Sequence, residues 1–576
     1  MPISLRLAWI PPLLTLAACA TASPPPTATS TAETNSVPAS IAGQSAYGLF
    51  LAGQSAINTG EGAAAAGYFT RAAGAADGAD APFVETHAFT AALLAGDIKG
   101  AAAIAPVSDD DVVLQRLAFL TVAVDDLASG KAAKARTLLG QVGAPYHAAG
   151  SLLTPFAAAK AGDGEAAISM PVIANDPVAS YFASLDQGIL FEHLRRYDEA
   201  ETAFRALIVH GDPGALASLN LGAFLERRGR WADAVATYDQ ALSRAPGDPT
   251  LLAAKARAAS RHDAPAMESL DASAAEALTA LSSTLVVRKQ SEAALAYLRL
   301  ALRLDPERDA AWLLVGDILT DIGDKDAARV AYLAPKPGQP DYVAARDKLA
   351  WSLQADDRKD DALELARTAV TAEPASREAA TNLADLLRAD ERYSESAAIL
   401  DKLIADEGDT PDWRLLYMRA VDNQLSDHWP EAENDLNLAL KERPDEPELL
   451  NFLGYSWIDR GEKLHEALAM VQKAVDADPK SGAMTDSLGW GYYRLGDYQT
   501  AVEKLELAVS LEAGDPDINN HLGDAYWRVG RRIEARFQWS RVLTLEPDAK
   551  LRAEVEAKLR DGGPADSTPK SSVAAG

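Results

Sequence analysis

The chain of 576 residues contains one cysteine, Cys19, so no disulfide can form within it and stability must come from packing. Downstream of the first residues, no apolar segment free of charges reaches the length of about 20 residues that a membrane-spanning helix needs. The catalytic motifs Gly-x-x-x-x-Gly-Lys-Ser/Thr, His-Glu-x-x-His and Gly-x-Ser-x-Gly are also missing. These absences predict a protein that is not an enzyme and that needs no cofactor.

Basic residues are in the minority: the chain has 55 basic and 83 acidic residues, which give a formal net charge of −28. A field of that sign opposes nucleic-acid phosphates and anionic headgroups, which excludes both as main ligands. No metal site is predicted either. Asp109 to Asp111 lack the glycine and closing glutamate of a calcium loop and indicate a solvated helix start. His465 precedes Glu466 but has no second histidine at helical spacing, which indicates a surface turn.

Cys19 follows Leu16, Ala17 and Ala18, behind Arg6 and about ten mostly apolar residues. These four residues resemble a lipobox, the site at which bacterial lipoprotein precursors receive a diacylglycerol thioether and are cut before the cysteine. Residues 1–18 are therefore expected to be a signal peptide, with Cys19 lipidated, by palmitate among its acyl chains. The alternatives are an ordinary secretory peptide cut near Ala20 or Ala22, or a buried N-terminal helix. Because Ala20 is not aspartate, outer-membrane sorting toward the periplasm is favoured.

Residues 19–44 follow as a tether rich in Pro, Thr, Ser and Ala, which cannot bury a core. About 20 such residues have a root-mean-square reach of roughly 25 Å. After the tether, Ala, Leu and charged residues dominate, and apolar positions recur at three- and four-residue spacing. The remainder is therefore predicted to be all-α.

A short motif of Leu-Gly or a small-residue equivalent returns mostly every 34 residues. A small residue and then a bulky one follow at constant offsets, and prolines close most units. The motif begins at Gln187, Leu221, Leu281, Val315, Leu349, Leu383, Arg419, Leu453, Leu488 and Leu522. The small residues are Ala200, Ala234, Ala294, Ala328, Ala362, Ala432, Ala501 and Ala535, the bulky ones are Phe204, Tyr238, Leu298, Tyr332, Leu436, Leu505 and Trp539, and the prolines are Pro246, Pro306, Pro374, Pro444, Pro479 and Pro547.

This pattern resembles tetratricopeptide repeats (TPRs), each a pair of helices that stacks on the next in a superhelix. We expect a divergent repeat-like region over 45–180, a TPR array over 181–550, and a helix end with a disordered tail over 551–576. Three departures are visible. Residues 255–275 form a degenerate repeat or a hinge, Pro335 and Pro337 shorten a second helix, and Arg419 breaks the apolar pattern.

In such a superhelix the first helix of each unit lines the inner face. Counting from the last three Leu-Gly pairs predicts a partner-binding groove of aromatic, amide and charged side chains, of the kind that form hot spots. The alternative to a binding role is that these side chains pack between repeats, which is the default for an aromatic residue at helical spacing. The predicted groove residues are Asn451, Tyr455, Asp486, Trp490, Tyr493, Arg494, Asn520, Asp524, Trp527 and Arg528.

The stretch from Leu449 to Arg531 resembles large bacterial TPR lipoproteins, in particular through Asn451 to Tyr455, Asp486 to Trp490 and His521 to Asp524. That group includes outer-membrane adaptors of periplasmic carboxyl-terminal processing proteases. The resemblance implies a scaffold that brings cell-wall hydrolases to such a protease. A structural component of an envelope assembly or secretion machine is the alternative, and an enzyme acting on cell-wall glycan is disfavoured because the paired carboxylates are missing.

Overall fold

The structure is a computed structural model that describes residues 45–563, apart from 77–80, 107–110, 174, 211 and 409. The predicted signal peptide, Cys19, the whole tether and the tail after residue 563 lie outside the described residues. Within them the chain forms helices and no strand. The predicted all-α TPR superhelix is confirmed.

The helices of the first part are α1 (Ala46–Asn58), α2 (Gly62–Ala75), α3 (Ala81–Ala95), α4 (Ile98–Ala103), α5 (Val112–Ala128), α6 (Ala132–Leu139), α7 (His147–Lys160), α8 (Gly164–Ala167), α9 (Pro177–His193), α10 (Tyr197–His210), α11 (Leu216–Arg227), α12 (Trp231–Leu242), α13 (Pro249–Ser260), α14 (Leu270–Val287) and α15 (Ser291–Leu304). The helices of the second part are α16 (Asp309–Asp321), α17 (Lys325–Leu333), α18 (Tyr342–Ala355), α19 (Lys359–Ala372), α20 (Arg377–Ala389), α21 (Tyr393–Glu407), α22 (Trp413–Leu425), α23 (Trp429–Glu442), α24 (Pro447–Arg460), α25 (Leu464–Ala477), α26 (Gly482–Leu495), α27 (Tyr498–Leu511), α28 (Pro516–Arg528), α29 (Arg532–Val542) and α30 (Ala549–Asp561).

Helix starts follow the capping residues in the sequence. Asp515 accepts a hydrogen bond from the backbone N–H of Ile518 at 3.0 Å, and Pro516 occupies the first helical position of α28. Asp111 caps α5 in the same way through the N–H groups of Val113 and Leu114. A carboxylate placed there accepts from donors that the helix itself leaves unpaired. Asp111 therefore forms the helix start that the sequence predicted.

The small residue of each motif makes room for the bulky residue 16 positions later. A Cβ atom added to Gly222 would lie 2.2 Å from the ring of Tyr238, and one added to Gly523 would lie 2.4 Å from Trp539. Tyr238 and Trp539 are fully buried. The close approach of the two helices in a repeat is therefore possible only because the first helix carries no side chain at that point.

Two of the three departures have a physical explanation. Helix α17 ends at Leu333, two residues before Pro335, as the prolines predicted. Arg419 donates two hydrogen bonds to the buried carboxylate of Asp435, at 2.7 and 2.8 Å, and a third to Asp401 at 2.7 Å. An ion pair between the helices of the unit thus takes the place of an apolar contact.

The third departure is a repeat that keeps only its first helix. Helix α13 packs on α12 and buries Leu251, Ala254 and Ala258. Residues 261–269 then run without a helix and are held by hydrogen bonds to their backbone, from Arg227 Nη1 to the Pro265 oxygen and between His193 Nε2 and the Glu268 oxygen. The chain continues into α14, which is the first helix of the next repeat.

Helices α14 and α15 lie on the first helices of the preceding repeats. Helix α14 packs against α7 and α9, and α15 packs against α3 and α5. Polar contacts fix both helices: Lys160 to Asp271 at 2.6 Å, Arg303 to Asp125 at 2.9 Å, and Arg299 Nε to the Leu94 oxygen at 3.0 Å. The surface that α3 to α9 would present as an inner face is therefore covered by the chain's own helices.

Helix α14 is the one helix of the described ranges that is long and apolar enough to cross a membrane. Its residues Ala274, Ala275, Ala277 and Leu278 are fully buried against the protein. The apolar character of α14 is thus used for core packing in this fold.

Two carboxylates face this covered surface. Asp186 of α9 is 4% exposed and its Oδ2 atom has no hydrogen-bond partner among the described residues. Burial, together with the neighbouring Glu276 of α14, raises the pKa of Asp186 well above its usual value, and burial likewise raises the pKa of Glu276. Both groups therefore resist ionisation at the seam between α9 and α14.

Candidate functional site

The predicted groove residues lie on three consecutive first helices, α24, α26 and α28. We call the ten residues together the C-terminal inner face. None is fully exposed: Asp486, Tyr493, Asn520 and Asp524 are buried and the other six are half-buried. Outside the covered region, the first helices from α18 to α28 pack chiefly on their own repeat and on the neighbouring repeats. This face is therefore not occupied by another helix of the described chain.

Trp490 lies at the centre of the C-terminal inner face, between two repeats. Its ring stacks on Tyr493 of the same helix, with centroids 4.5 Å apart and planes 8° apart, and on His521 of α28, at 4.2 Å and 15°. Offset aromatic stacking of this kind adds about 0.5–1.5 kcal/mol beyond area burial. Trp490 thus contributes to packing between repeats while its Nε1 atom, buried, has no partner among the described residues.

His521 also forms an ion pair with the preceding repeat. Its Nδ1 atom lies 2.8 and 3.1 Å from the two oxygens of Asp486. Burial alone would lower the pKa of His521, but the charge and hydrogen bond of Asp486 outweigh it and raise that pKa above the usual value. The protonated imidazole of His521 is therefore stabilised by the Asp486 carboxylate, beside the ring of Trp490.

Two arginines connect neighbouring first helices. Arg528 Nε donates to the hydroxyl of Tyr493 at 3.1 Å, and Arg494 Nη1 donates to the backbone oxygen of Asp459 at 2.6 Å. Arg494 and Arg528 are half-buried. Each arginine thus connects two neighbouring repeats at the C-terminal inner face.

Helix α30 closes the far end of this face through Lys558. The buried ammonium donates to Asn520 Oδ1 at 2.9 Å and to Asp524 Oδ2 at 2.8 Å, while Trp539 Nε1 donates to Asp524 Oδ1 at 3.1 Å. Burial raises the pKa of Asp524 above its usual value even with Lys558 beside it. Asn520 and Asp524 therefore have internal partners.

The remaining predicted residues lie toward the edges of the face. The ring centroids of Trp527 and Trp539 are 5.4 Å apart, and the Arg532 guanidinium lies 3.7 Å from the centroid of the Trp527 ring. Asn451 Oδ1 is a buried acceptor without a partner in the described part of the chain. Burial raises the pKa of Tyr455. The structure thus groups Trp490, Tyr493, Asp486 and Arg528 with His521, and Asn520 and Asp524 with Lys558.

His521 and Lys558 were not among the predicted site residues. Both pair with a residue one repeat earlier: Asp486 lies 35 positions before His521 and Asp524 lies 34 positions before Lys558. A search for opposite charges separated by one repeat length would have found them. The same spacing joins Arg388 to Asp422, whose Nε to Oδ1 distance is 2.6 Å.

A second stretch of inner face, on α18 and α20, is acidic. Burial, then the neighbouring carboxylates of Asp385 and Glu378, raise the pKa of Asp347 to about 6. Trp351, one turn along α18, is 40% exposed. This stretch therefore presents the exposed Trp351 near Asp347, a carboxylate whose pKa is raised to about 6.

No group of three His, Cys, Asp or Glu side chains close enough to hold a metal ion occurs among the described residues. His465 is exposed, as expected, but it lies in the first turn of α25 and not in the preceding loop.

A model of the tetratricopeptide repeat family matches residues 185–249, 279–340 and 348–410. These three segments are tetratricopeptide repeats. A TPR repeat-containing protein of Pseudomonas aeruginosa, PA4667, is 33% identical over 113 residues, which cover 20% of this chain and 19% of that protein. The match thus spans about a fifth of the relative's length. TPR proteins generally mediate protein–protein interactions.

Solved TPR structures are similar at low identity. A tetratricopeptide repeat protein from Parabacteroides merdae is 19% identical, covers 38% of this chain and 86% of its own, and gives a TM-score of 0.33. The Cut9–Hcn1 assembly of the APC/C is 14% identical, covers 90% of this chain and 97% of its own, and gives a TM-score of 0.36.

Proposed function

We propose that the protein is a membrane-anchored periplasmic scaffold whose C-terminal inner face binds partner proteins. The observation that supports it most is the difference between the two inner surfaces. The first helices α3 to α9 are covered by α14 and α15, whereas α24, α26 and α28 carry half-buried aromatic and arginine side chains without such a cover. Side chains of this kind dominate binding energy in protein interfaces.

We further propose that the partners are a periplasmic carboxyl-terminal processing protease and cell-wall hydrolases. The resemblance over Leu449 to Arg531 supports this partner class, and the lipobox-like sequence at Cys19 supports an outer-membrane anchor. An anchored scaffold that binds protease and substrate together raises the effective concentration of each for the other. The chain would then need no active site to control peptidoglycan remodelling.

The test uses the full chain and a double variant, Trp490→Ala with Arg494→Ala. Proteins captured from envelope extracts are identified, and the purified protease is then assayed on the purified hydrolase with and without the scaffold. Glu503→Ala with Leu507→Ala on α27 is the matched control, because Leu507 is 46% exposed and Glu503 is exposed on a second helix. Circular dichroism verifies that helicity is kept.

Faster cleavage with the native chain and the control, but not with the Trp490 and Arg494 variant, is the expected result. If that variant accelerates cleavage as much as the native chain does, the C-terminal inner face is not the surface that binds these partners. Capture of barrel or secretin subunits in place of a protease would favour the structural component of an envelope machine. The anchor is tested separately: unchanged membrane association of Cys19→Ser would contradict lipidation.

A further inference from the structure

Helices α1 and α3, at the start of the described chain, carry an exposed apolar surface. Tyr47 is 71% exposed, Leu51 is 48% exposed and Phe83 is 57% exposed. Phe50 of α1 contacts Phe83 of α3, with the two ring centroids 5.4 Å apart. We call Tyr47, Phe50, Leu51 and Phe83 the N-terminal end patch.

This end of the chain is almost free of charge. Arg6 and Glu33 are the only charged side chains in the first 60 residues, so the whole formal charge of −28 lies after residue 60. Helix α1 itself contains no acidic or basic residue. Helix α1, which supplies three of the four patch residues, therefore adds no charge that an anionic surface would repel.

The patch differs from what a repeat array needs at its ends. Terminal repeats are expected to present a polar outer face, since they have no neighbour to cover them. Helix α30 at the other end meets that expectation, with Lys550, Arg552, Glu554 and Glu556 exposed. Helix α1 does not, which indicates that a specific apolar environment covers it.

The position of the patch in the chain indicates which environment that is. This step rests on the proposed lipid anchor at Cys19. The segment from Cys19 to Ser45 has the composition of a flexible coil, whose reach at this length is about 25–30 Å. The acyl chains would thus hold the patch near the bilayer, at high effective concentration.

We propose that the N-terminal end patch inserts into the headgroup region of the bilayer that holds the Cys19 anchor. Tyrosine suits this depth because its ring is apolar and its hydroxyl is polar. Four side chains are far fewer than the roughly 20–30 residues per partner of a stable protein interface, which disfavours a second copy of the chain as the occupant.

The experiment exploits the single cysteine. Cys19→Ser gives a cysteine-free, non-acylated full chain, into which Leu51→Cys introduces one thiol for an environment-sensitive fluorophore. Phe537→Cys in the same background is the matched control, since Phe537 is 64% exposed on α29. Each labelled protein is mixed with vesicles of phosphatidylethanolamine and phosphatidylglycerol. A blue shift at position 51 and none at position 537 is expected.

Vesicle flotation of unlabelled protein completes the test. In the Cys19→Ser background, Tyr47→Ser with Leu51→Ser is expected to reduce the vesicle-bound fraction about fivefold or more, whereas Ile533→Ser with Phe537→Ser leaves it unchanged. Equal binding by the two pairs would overturn the proposal. So would a blue shift at position 51 that depends on protein concentration and not on vesicles, because a second copy would then cover the patch.

The anchor is measured separately from the patch. Incorporation of a labelled fatty acid at Cys19 in cells measures the anchor, whereas both vesicle assays are made without acyl chains.

Discussion

The first half of the array, α1 to α15, and the second half, α16 to α30, are built from the same helix pair, but they differ in what covers their first helices. In the first half, α14 and α15 lie on the first helices of earlier repeats, and burial extends without interruption from Phe89 to Leu304. In the second half, the core divides into smaller groups, and polar pairs such as Asp486 with His521 and Asp524 with Lys558 add to the apolar contacts between neighbouring repeats. Contacts between distant repeats make a cooperative unit, whereas contacts between neighbours leave a face that partners can reach.

The largest expected effect tests whether the first half is one cooperative unit. Leu278→Ala in α14 removes a fully buried side chain and should lower the free energy of unfolding by about 2–5 kcal/mol. Because α14 packs on α7 and α9, hydrogen exchange should accelerate in those helices as well. Leu488→Ala in α26, equally buried, is the matched change and should accelerate exchange only in neighbouring repeats.

Exchange that accelerates only around α13 to α16 in Leu278→Ala would show that the first half is as modular as the second. The two halves would then not differ in cooperativity.

The next effect tests the close approach of helices that both halves share. Gly222→Ala should destabilise by about 1–3 kcal/mol, because the new Cβ would lie 2.2 Å from the Tyr238 ring, whose hydroxyl bonds Glu226 at 2.7 Å. Gly67→Ala on α2 is the control, since nothing lies within 4 Å of its Cβ position and alanine favours the helix. Chemical denaturation followed by circular dichroism measures both, and equal midpoints would contradict the packing argument.

The covered seam of the first half should respond to pH. The pKa of Asp186 is raised in the folded state, so that state binds more protons than the unfolded one and stability falls as pH rises from about 4. Asp186→Asn removes the ionisable group and should stabilise the protein by about 1–3 kcal/mol at pH 7 but little near pH 4. Melting temperatures at both pH values measure this effect.

Asp198→Asn is the control for Asp186, because Asp198 is exposed on the neighbouring helix α10. A gain at pH 4 equal to the gain at pH 7 would show that the amide repacks the seam and that charge plays no part.

The sequence predicted the repeat structure well because each unit repeats a local solution. Gly222 and Tyr238, or Gly523 and Trp539, stand at fixed offsets that the sequence shows directly. The cover over α3 to α9 was not predicted, since the contact between Lys160 and Asp271 joins residues 111 positions apart and follows no repeat period. For the candidate site, the positions of Trp490 and Tyr493 followed from the period. The stacking of Trp490 on His521 required knowing how α26 and α28 cross.

The smallest expected effect tests the polar ladder of the second half. The pKa of His521 is raised in the folded state, so its pairing with Asp486 stabilises fully below about pH 6.5 and is lost as pH rises through the higher folded value. His521→Gln should therefore cost about 1 kcal/mol at pH 6 and less at pH 9. His465→Gln, at an exposed histidine two repeats earlier, should change neither value. A pH-independent loss in His521→Gln would assign its role to stacking on Trp490 alone, and the second half would then depend on apolar contacts as the first half does.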